Sequence, residues 1–163
     1  MIGSVRPRRL FAATLACSAA VFGVSILVGN SRAQAGAVTF TCSAADKQFI
    51  GTVSSNLAQL SYWSDALVSR DVEPDVVVKQ ARDEADQVGA TRPEDRTLHA
   101  TRDLLGSMFV EYSKAVAANA RGHDDHVHMQ NAWRLARSVH DLLAGAKTGL
   151  GAQGCDVTPL LSR

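Results

Sequence analysis

The sequence predicts an all-α domain, an antiparallel four-helix bundle closed by one disulfide bond. Apolar residues recur at helical steps of three and four in four successive segments. Short connections that contain helix start and stop residues separate these segments. Cys42 and Cys155 lie near the two ends of the predicted folded part. Amphipathic helices joined by short connections favour antiparallel packing, which is the reason for the bundle prediction.

The first 35 residues have the features of a secretory signal peptide. Arg6, Arg8 and Arg9 form a positive start, and residues 10–28 carry no charge. The tripeptide 33–35 has the small residues that signal peptidase requires, so we place cleavage after Ala35. The sequence therefore predicts a protein that is secreted or held in the cell envelope.

Three alternatives concern the same segment. The uncharged run 10–28 is close to the length that spans a bilayer, so an uncleaved signal would anchor the protein in the membrane. Cys17 would carry lipid in a lipoprotein. The residues 8–11 match the core of a twin-arginine signal, which exports folded proteins. The sequence does not choose between general and twin-arginine export.

Residues 36–163 are predicted to form a single helical domain of a length that suits one hydrophobic core. Cleavage removes four of the 17 basic residues and none of the 16 acidic ones, which leaves a net charge of −3. This balance excludes a nucleic-acid-binding surface and a basic amphipathic helix for membrane surfaces. The chain is expected to have no nucleic-acid partner.

Two cysteines remain after the predicted cleavage. Exported chains meet an oxidising environment, so Cys42 and Cys155 are predicted to pair, with two free thiols as the alternative. An exported helical domain with one cysteine near each end is similar to secreted haem carriers of actinobacteria. The similarity covers the signal and these two cysteines only. It makes haem a candidate ligand, and because no ligand motif aligns, no residue role is carried over.

The four predicted helices begin and end at recognisable signals. Helix one is predicted over residues 43–70, with Ser43 and Asp46 as a capping box. Helix two runs over 74–88, because a proline is favourable in a first helical turn and Gly89 ends it. In this helix the charges of residues 82, 83, 84 and 86 are typical of a solvated face.

Helices three and four are predicted from the same kinds of start and stop residues. Helix three is predicted to start at a capping box of Thr91 and Glu94 and to end near Arg121. Helix four is capped by Asp124 or Asp125, and residues 149–154 form a flexible tail. The large aromatic residues of the four helices are expected to fill the core: Trp63, Phe109, Tyr112 and Trp133.

No catalytic motif stands in a suitable context. Residues 149–154 spell a dinucleotide-binding glycine pattern, but a helix precedes it and no strand does. Residues 147–149 imitate a penicillin-binding signature that lacks its companion nucleophile motif. The protein is therefore not expected to be an enzyme.

One segment between helices three and four is rich in metal-ligand residue types, and we name it the His-rich hinge. It contains His123, Asp124, Asp125, His126 and His128. Imidazole and carboxylate together suit zinc, copper or nickel. His126 and His128 diverge on a helix, so two ligand sets remain open, one with residues 123, 125 and 128 and one with 123, 124 and 126.

The alternative to a metal site is a solvated hairpin tip with ordinary capping residues. Tyr112 is predicted to stand level with Met129, Trp133 and His128, and tyrosine, histidine and methionine are haem-ligand types. Two functions therefore remain. The first is an extracytoplasmic interaction module for an unknown protein partner, and the second is a small-ligand binder for a transition-metal ion or haem at the hinge.

Overall fold

Four long α-helices and one short helix make up the structure, a computed structural model that describes residues 41–162. The predicted signal peptide, its cleavage after Ala35, and Cys17 lie outside the described residues. Within the described part all regular structure is helical, as predicted. The helices are α1 (Ala44–Ser69), α2 (Pro74–Ala90), α3 (Arg96–Ala120), α4 (His126–Ala152) and α5 (Thr158–Leu161). No helix among these has the length and hydrophobicity needed to cross a bilayer.

The predicted capping box at the start of α1 is confirmed. The Ser43 hydroxyl accepts from the Asp46 backbone N–H at 3.1 Å, and Asp46 accepts from the Ser43 backbone N–H at 3.2 Å. This pairing satisfies donors that a helix start otherwise leaves open. At the other end, Arg70 adopts a left-handed conformation with φ of 64° and ends the helix.

The predicted capping box of Thr91 and Glu94 is wrong. Thr91 instead ends α2, where its hydroxyl donates to the Val88 carbonyl. The start of α3 is capped by Asp95, which accepts from the backbone N–H groups of Thr97 and Leu98. The cap lies four residues later than predicted because Asp95 satisfies two helix donors with one carboxylate oxygen, whereas Thr91 is engaged by the preceding helix.

The chain beyond residue 148 is more ordered than predicted. Residues 149–152 continue α4, and Leu150 in this turn is 3% exposed. Burial of that leucine offsets the helix-weakening effect of the glycines on either side. Gly154, with φ of 85°, then turns the chain to Cys155, and a short helix that the sequence did not predict follows.

The core is formed by apolar side chains from every helix. The largest fully buried apolar residues are Phe49, Phe109, Leu98, Leu105, Leu143, Val53, Val77, Val88 and Val157. Phe109 thus lies in the core as predicted, whereas Trp133 is 68% exposed and that prediction is wrong. Trp63 and Tyr112 are half-buried.

The helices do not approach each other equally. Close packing joins α2 to α3 and α3 to α4, and a smaller contact joins α1 to α2. The short α5 touches α1 and α4. Within the described residues no comparable approach joins α1 to α4. The side of the structure between those two helices is therefore open.

Cys42 and Cys155 lie at disulfide distance, with 5.1 Å between their Cα atoms, as the sequence predicted. The Cys42 backbone N–H also donates to the Gln153 carbonyl at 2.7 Å. These links hold Cys42, two residues before α1, against the end of α4. Because the cysteines are 113 residues apart in sequence, the bond closes nearly the whole described chain into a loop.

Glu84 is fully buried, although its position among charged residues led us to predict a solvated face. In the described part of the chain neither of its carboxyl oxygens has a hydrogen-bonding partner. The nearby Gln80 amide donates to Gln59 at 3.1 Å. Burial raises the pKa of Glu84 to about 7, and the negative charge of Asp83 adds to this rise.

We expect reduction of the disulfide to lower the free energy of unfolding by about 4–5 kcal/mol, because it frees a loop of this length in the unfolded chain. Urea denaturation with and without dithiothreitol measures the difference. The double variant Cys42→Ser, Cys155→Ser serves as the control and should not respond to the reductant. Equal midpoints for the parent protein in both conditions would contradict the prediction.

We expect Glu84 to make the protein less stable as the pH rises from about 4.5 to about 7. Because its pKa is higher in the folded state, the folded protein binds more protons in that range, and its stability falls as they leave. Glu84→Gln should remove this dependence and raise the unfolding free energy above pH 7 by roughly 3 kcal/mol.

Urea titrations at pH 5 and pH 8 measure the effect of Glu84→Gln. Asp86→Asn is the matched control, because Asp86 lies exposed on the same helix. Equal stability differences between Glu84→Gln and the parent at both pH values would show that the buried carboxyl does not titrate with folding.

Candidate functional site

An apolar groove of about 560 Å³ opens between α1, α3 and α4. It occupies the side of the structure where α1 and α4 do not pack closely, and we call it the α1–α4 groove. Most of its lining is apolar, with a few hydroxyl and ring nitrogen groups. The lining residues are Leu57, Leu60, Ser61, Ser64, Leu105, Met108, Tyr112, Met129, Ala132, Trp133, Ala136, Val139, His140 and Leu160.

The spacing of residues on α4 explains why the groove exists. Ala132 and Ala136 lie one turn apart on the side of α4 that faces the groove, and Val139 follows three residues later. Alanine side chains are too short to reach across to α1. The space that larger residues would fill therefore stays open, and this is a difference from the fully packed bundle that the sequence suggested.

Trp133 lies at the rim of the groove with most of its indole ring in solvent. A tryptophan seldom remains this exposed without a partner, because its large apolar area is unfavourable in water. Val127, another large apolar residue of the same helix, is 61% exposed. The outer part of α4 thus presents apolar surface beside an apolar cavity.

A pair of hydroxyl groups lies within this lining. The Ser64 Oγ atom is 2.7 Å from the Tyr112 hydroxyl and 2.7 Å from the Leu60 carbonyl oxygen. The bond between Ser64 and Tyr112 joins α1 to α3, and the bond to Leu60 lies within α1. Tyr112 therefore packs against the core and also lines the cavity, which it shares with Met129 and Trp133, as its register had indicated.

His128 was expected near the same residues, but it points to a different partner. Its Nδ1 atom lies 2.8 Å from a Glu111 carboxylate oxygen, and Asn131 donates to the same oxygen at 3.5 Å. Lys114 donates to the other oxygen at 2.6 Å. Lys114, followed by His128, lowers the pKa of Glu111 to about 2. Nothing in the sequence motifs indicated that Glu111 would hold His128.

The remaining residues of the His-rich hinge lie at the surface. Asp124 accepts from the His126 backbone N–H at 2.9 Å, and Asp125 accepts from the Asn119 side chain at 3.2 Å. His123 and His126 are exposed. Neither predicted ligand set brings its side chains together in this structure. Metal binding here stays a prediction and requires the side chains to rearrange.

Among residues 41–162, one group places three metal-ligand atom types within 4.8 Å of one another, and it consists of Cys42, Asp46 and Cys155. The two sulfurs are paired with each other, so they offer no thiolate to a metal. Asp46 already accepts from the backbone N–H groups of Glu94 and Asp95 at 2.8 and 3.0 Å. This group therefore holds helix ends together.

Asp46 keeps its charge in spite of being buried. Burial alone would raise the pKa of this carboxyl, but hydrogen bonds from Asp95, Ser43 and Glu94 outweigh it and hold the pKa below the ordinary value of 3.8. The ionised carboxylate therefore links the start of α1 to the start of α3 at neutral pH.

Metal binding at the His-rich hinge would be visible as zinc-dependent stabilisation. If the hinge binds zinc, Zn²⁺ at a hundredfold excess over its Kd should stabilise the folded protein by about 2.7 kcal/mol. The Tm should rise accordingly. Replacing His123, His126 and His128 together by Ala should abolish the rise, whereas His99→Ala, a control on α3, should keep it. A Tm that ignores zinc in the parent protein would contradict the metal hypothesis.

Comparison of this chain with protein-family models, with curated protein sequences and with solved structures found no match. What the chain does must therefore be argued from its own residues. Among the described features, the α1–α4 groove combines a cavity, exposed aromatic surface and a few polar groups.

Proposed function

We propose that this chain is an extracytoplasmic, non-enzymatic binding domain that holds a small, largely apolar molecule in the α1–α4 groove. The observation that carries the proposal is the groove itself, an open apolar cavity of about 560 Å³ between α1, α3 and α4. Cavities that bind small molecules are commonly 300–1,000 Å³, mostly apolar and supplied with a few polar groups. The groove agrees with each of these features.

The proposed binding mode follows from the exposed rim. A ligand in the groove would cover apolar atoms of Leu57, Leu60 and Met108 and part of the Trp133 indole. Removing that surface from water supplies the driving force at about 25 cal/mol per Å². The His-rich hinge, by contrast, presents separate polar side chains. We therefore propose the groove, in place of the hinge, as the principal ligand site.

The proposal includes an antiparallel arrangement of the four long helices. Asn56 donates to the Glu84 carbonyl, and Gln80 donates to Gln59, so contacts between α1 and α2 run in opposite directions along the chain. The bond between His128 and Glu111 supports the same relation for α4 and α3. An antiparallel bundle with one unsealed seam would provide the groove.

The proposed location is outside the cytoplasm. The signal-like residues 1–35 and the disulfide between Cys42 and Cys155 support export, because such bonds persist in oxidising compartments. Secretion and retention in the cell envelope both fit this proposal, with an uncleaved N-terminal anchor as the alternative.

Haem is one ligand to be tested in the groove. Tyr112, Met129 and His140 line it, and their side chains are of the types that bind haem iron. A transition-metal ion at the His-rich hinge is the separate metal hypothesis. The groove proposal itself needs no iron ligand, because it depends on apolar contact.

A second candidate function is an interaction module for a protein partner. The exposed Trp133 at the rim of the apolar groove favours it, because exposed apolar surface often marks an interface. A protein side chain would then enter the groove. If a small molecule bound in the groove inhibited partner binding, both functions would use the same site.

We expect pyrene, an apolar fluorescent probe, to bind the groove and to report an apolar environment in its emission spectrum. Ala136→Leu should weaken binding at least tenfold, because the larger side chain occupies the cavity. Ala144→Leu makes the same change at an exposed position of α4 and should bind pyrene as the parent does.

The same titration is repeated with haem, followed by its visible absorbance. Equal pyrene affinity for the parent and Ala136→Leu would mean that the probe binds elsewhere. If no probe binds the parent protein, the small-molecule function is wrong and the protein-interaction function becomes the one to pursue.

A further inference from the structure

We propose that the α1–α4 groove selects apolar molecules that carry a hydrogen-bond donor, and that the Tyr112 hydroxyl oxygen is the acceptor that recognises it. The inference rests on the proposed ligand-binding function and names the ligand class. It depends on where the protons of the Ser64 and Tyr112 hydroxyl groups must lie. The ligands it predicts are alcohols, phenols, amines or N–H heterocycles with a large apolar body.

The position of the Ser64 proton follows from its two close neighbours. A serine hydroxyl has one proton to donate and can also accept. The Leu60 carbonyl oxygen, 2.7 Å away, can only accept, so the serine proton lies on that contact. This is the usual bond from serine to the carbonyl four residues earlier in a helix.

The position of the Tyr112 proton follows in turn. Its oxygen is 2.7 Å from Ser64 Oγ, a hydrogen-bonding distance that requires one proton between the two oxygens. Because Ser64 has given its proton to Leu60, Tyr112 must supply this one. With the opposite assignment, Ser64 and Leu60 would meet at 2.7 Å as two acceptors with no proton between them.

Tyr112 is therefore an acceptor toward the groove. Its single proton is used by Ser64, and in the described part of the chain no other group donates to its oxygen. A ligand O–H or N–H placed there would complete the hydrogen bonding of the phenolic oxygen. A ligand carbonyl or ether oxygen would face lone pairs, and its own desolvation would go uncompensated.

Two fluorescent probes of nearly equal shape test this selection. 1-Hydroxypyrene carries an O–H donor, and 1-methoxypyrene carries an ether oxygen in its place. We expect the parent protein to bind 1-hydroxypyrene roughly three- to tenfold more tightly, which is the range of one neutral hydrogen bond. Fluorescence titration gives both dissociation constants.

Three variants test whether the preference between the probes comes from the direction of the Tyr112 hydrogen bond or from the shape of the groove. Tyr112→Phe removes the acceptor, so it should abolish the preference while 1-methoxypyrene binds within about twofold of its parent affinity. Ser64→Ala frees the Tyr112 proton, so tyrosine can donate to the ether and 1-methoxypyrene should bind more tightly than to the parent. Ser61→Ala removes another hydroxyl from the lining and should keep the parent's preference.

The outcomes distinguish this inference from the proposed function. Equal affinities for the two probes in the parent, or a preference that survives in Tyr112→Phe, would overturn the donor selection and leave the groove as a ligand site. Binding of neither probe to the parent would overturn the proposed function together with this inference. Tighter binding of 1-methoxypyrene to Ser64→Ala than to the parent protein would support the proton assignment, because loss of packing alone would weaken binding. Unchanged or weaker binding would refute the assignment.

Discussion

The described fold depends on how the first turn of α1 is held. The disulfide from Cys42 joins it to the end of α4, and the Asp46 carboxylate joins it to the backbone that starts α3. Both links lie within five residues of each other, and both are buried. A charged carboxylate in such a place is stable only because four donors surround it, which is also why its pKa stays low. Farther along, α1 packs mainly against α2, so it is fixed at its start and free to stand away from α4.

The α1–α4 groove is a consequence of that geometry together with two small residues. The covalent link keeps α1 and α4 together at one end, while Ala132 and Ala136 leave the space between them unfilled. Leu160 reaches the same cavity from α5, which follows the second cysteine directly. The cavity thus lies between elements that the disulfide connects. An unfilled seam in a bundle costs packing energy, and a bound apolar molecule would recover part of it.

Several side chains occupy environments opposite to the ones their sequence pattern indicated, and a single reason explains them. Glu84 follows the buried positions 77 and 81 at helical spacing, so the side of α2 that faces the core includes it in spite of its charge. Trp133 lies on a side of α4 that no other helix of residues 41–162 covers, so a large apolar ring remains exposed. Hydrophobicity predicts average burial, whereas the actual neighbours of a position depend on which helix faces are covered. The charged exception, Glu84, is therefore the buried carboxyl, and the aromatic exception, Trp133, lies at the open groove.

The sequence by itself determined the four long helices, their connections to within a few residues, the pairing of Cys42 with Cys155, and the capping of α1 by Ser43 and Asp46. These features depend on local spacing, on start and stop residues and on the count of cysteines, all of which are visible along the chain. Only the tertiary structure decided that Glu111 holds His128, that Tyr112 meets Ser64, and that a cavity lies between α1 and α4. Glu111 and His128 are 17 positions apart in sequence, and Ser64 and Tyr112 are 48 positions apart. Such contacts depend on the rotation and separation of the packed helices, which the periodicity of the sequence does not specify.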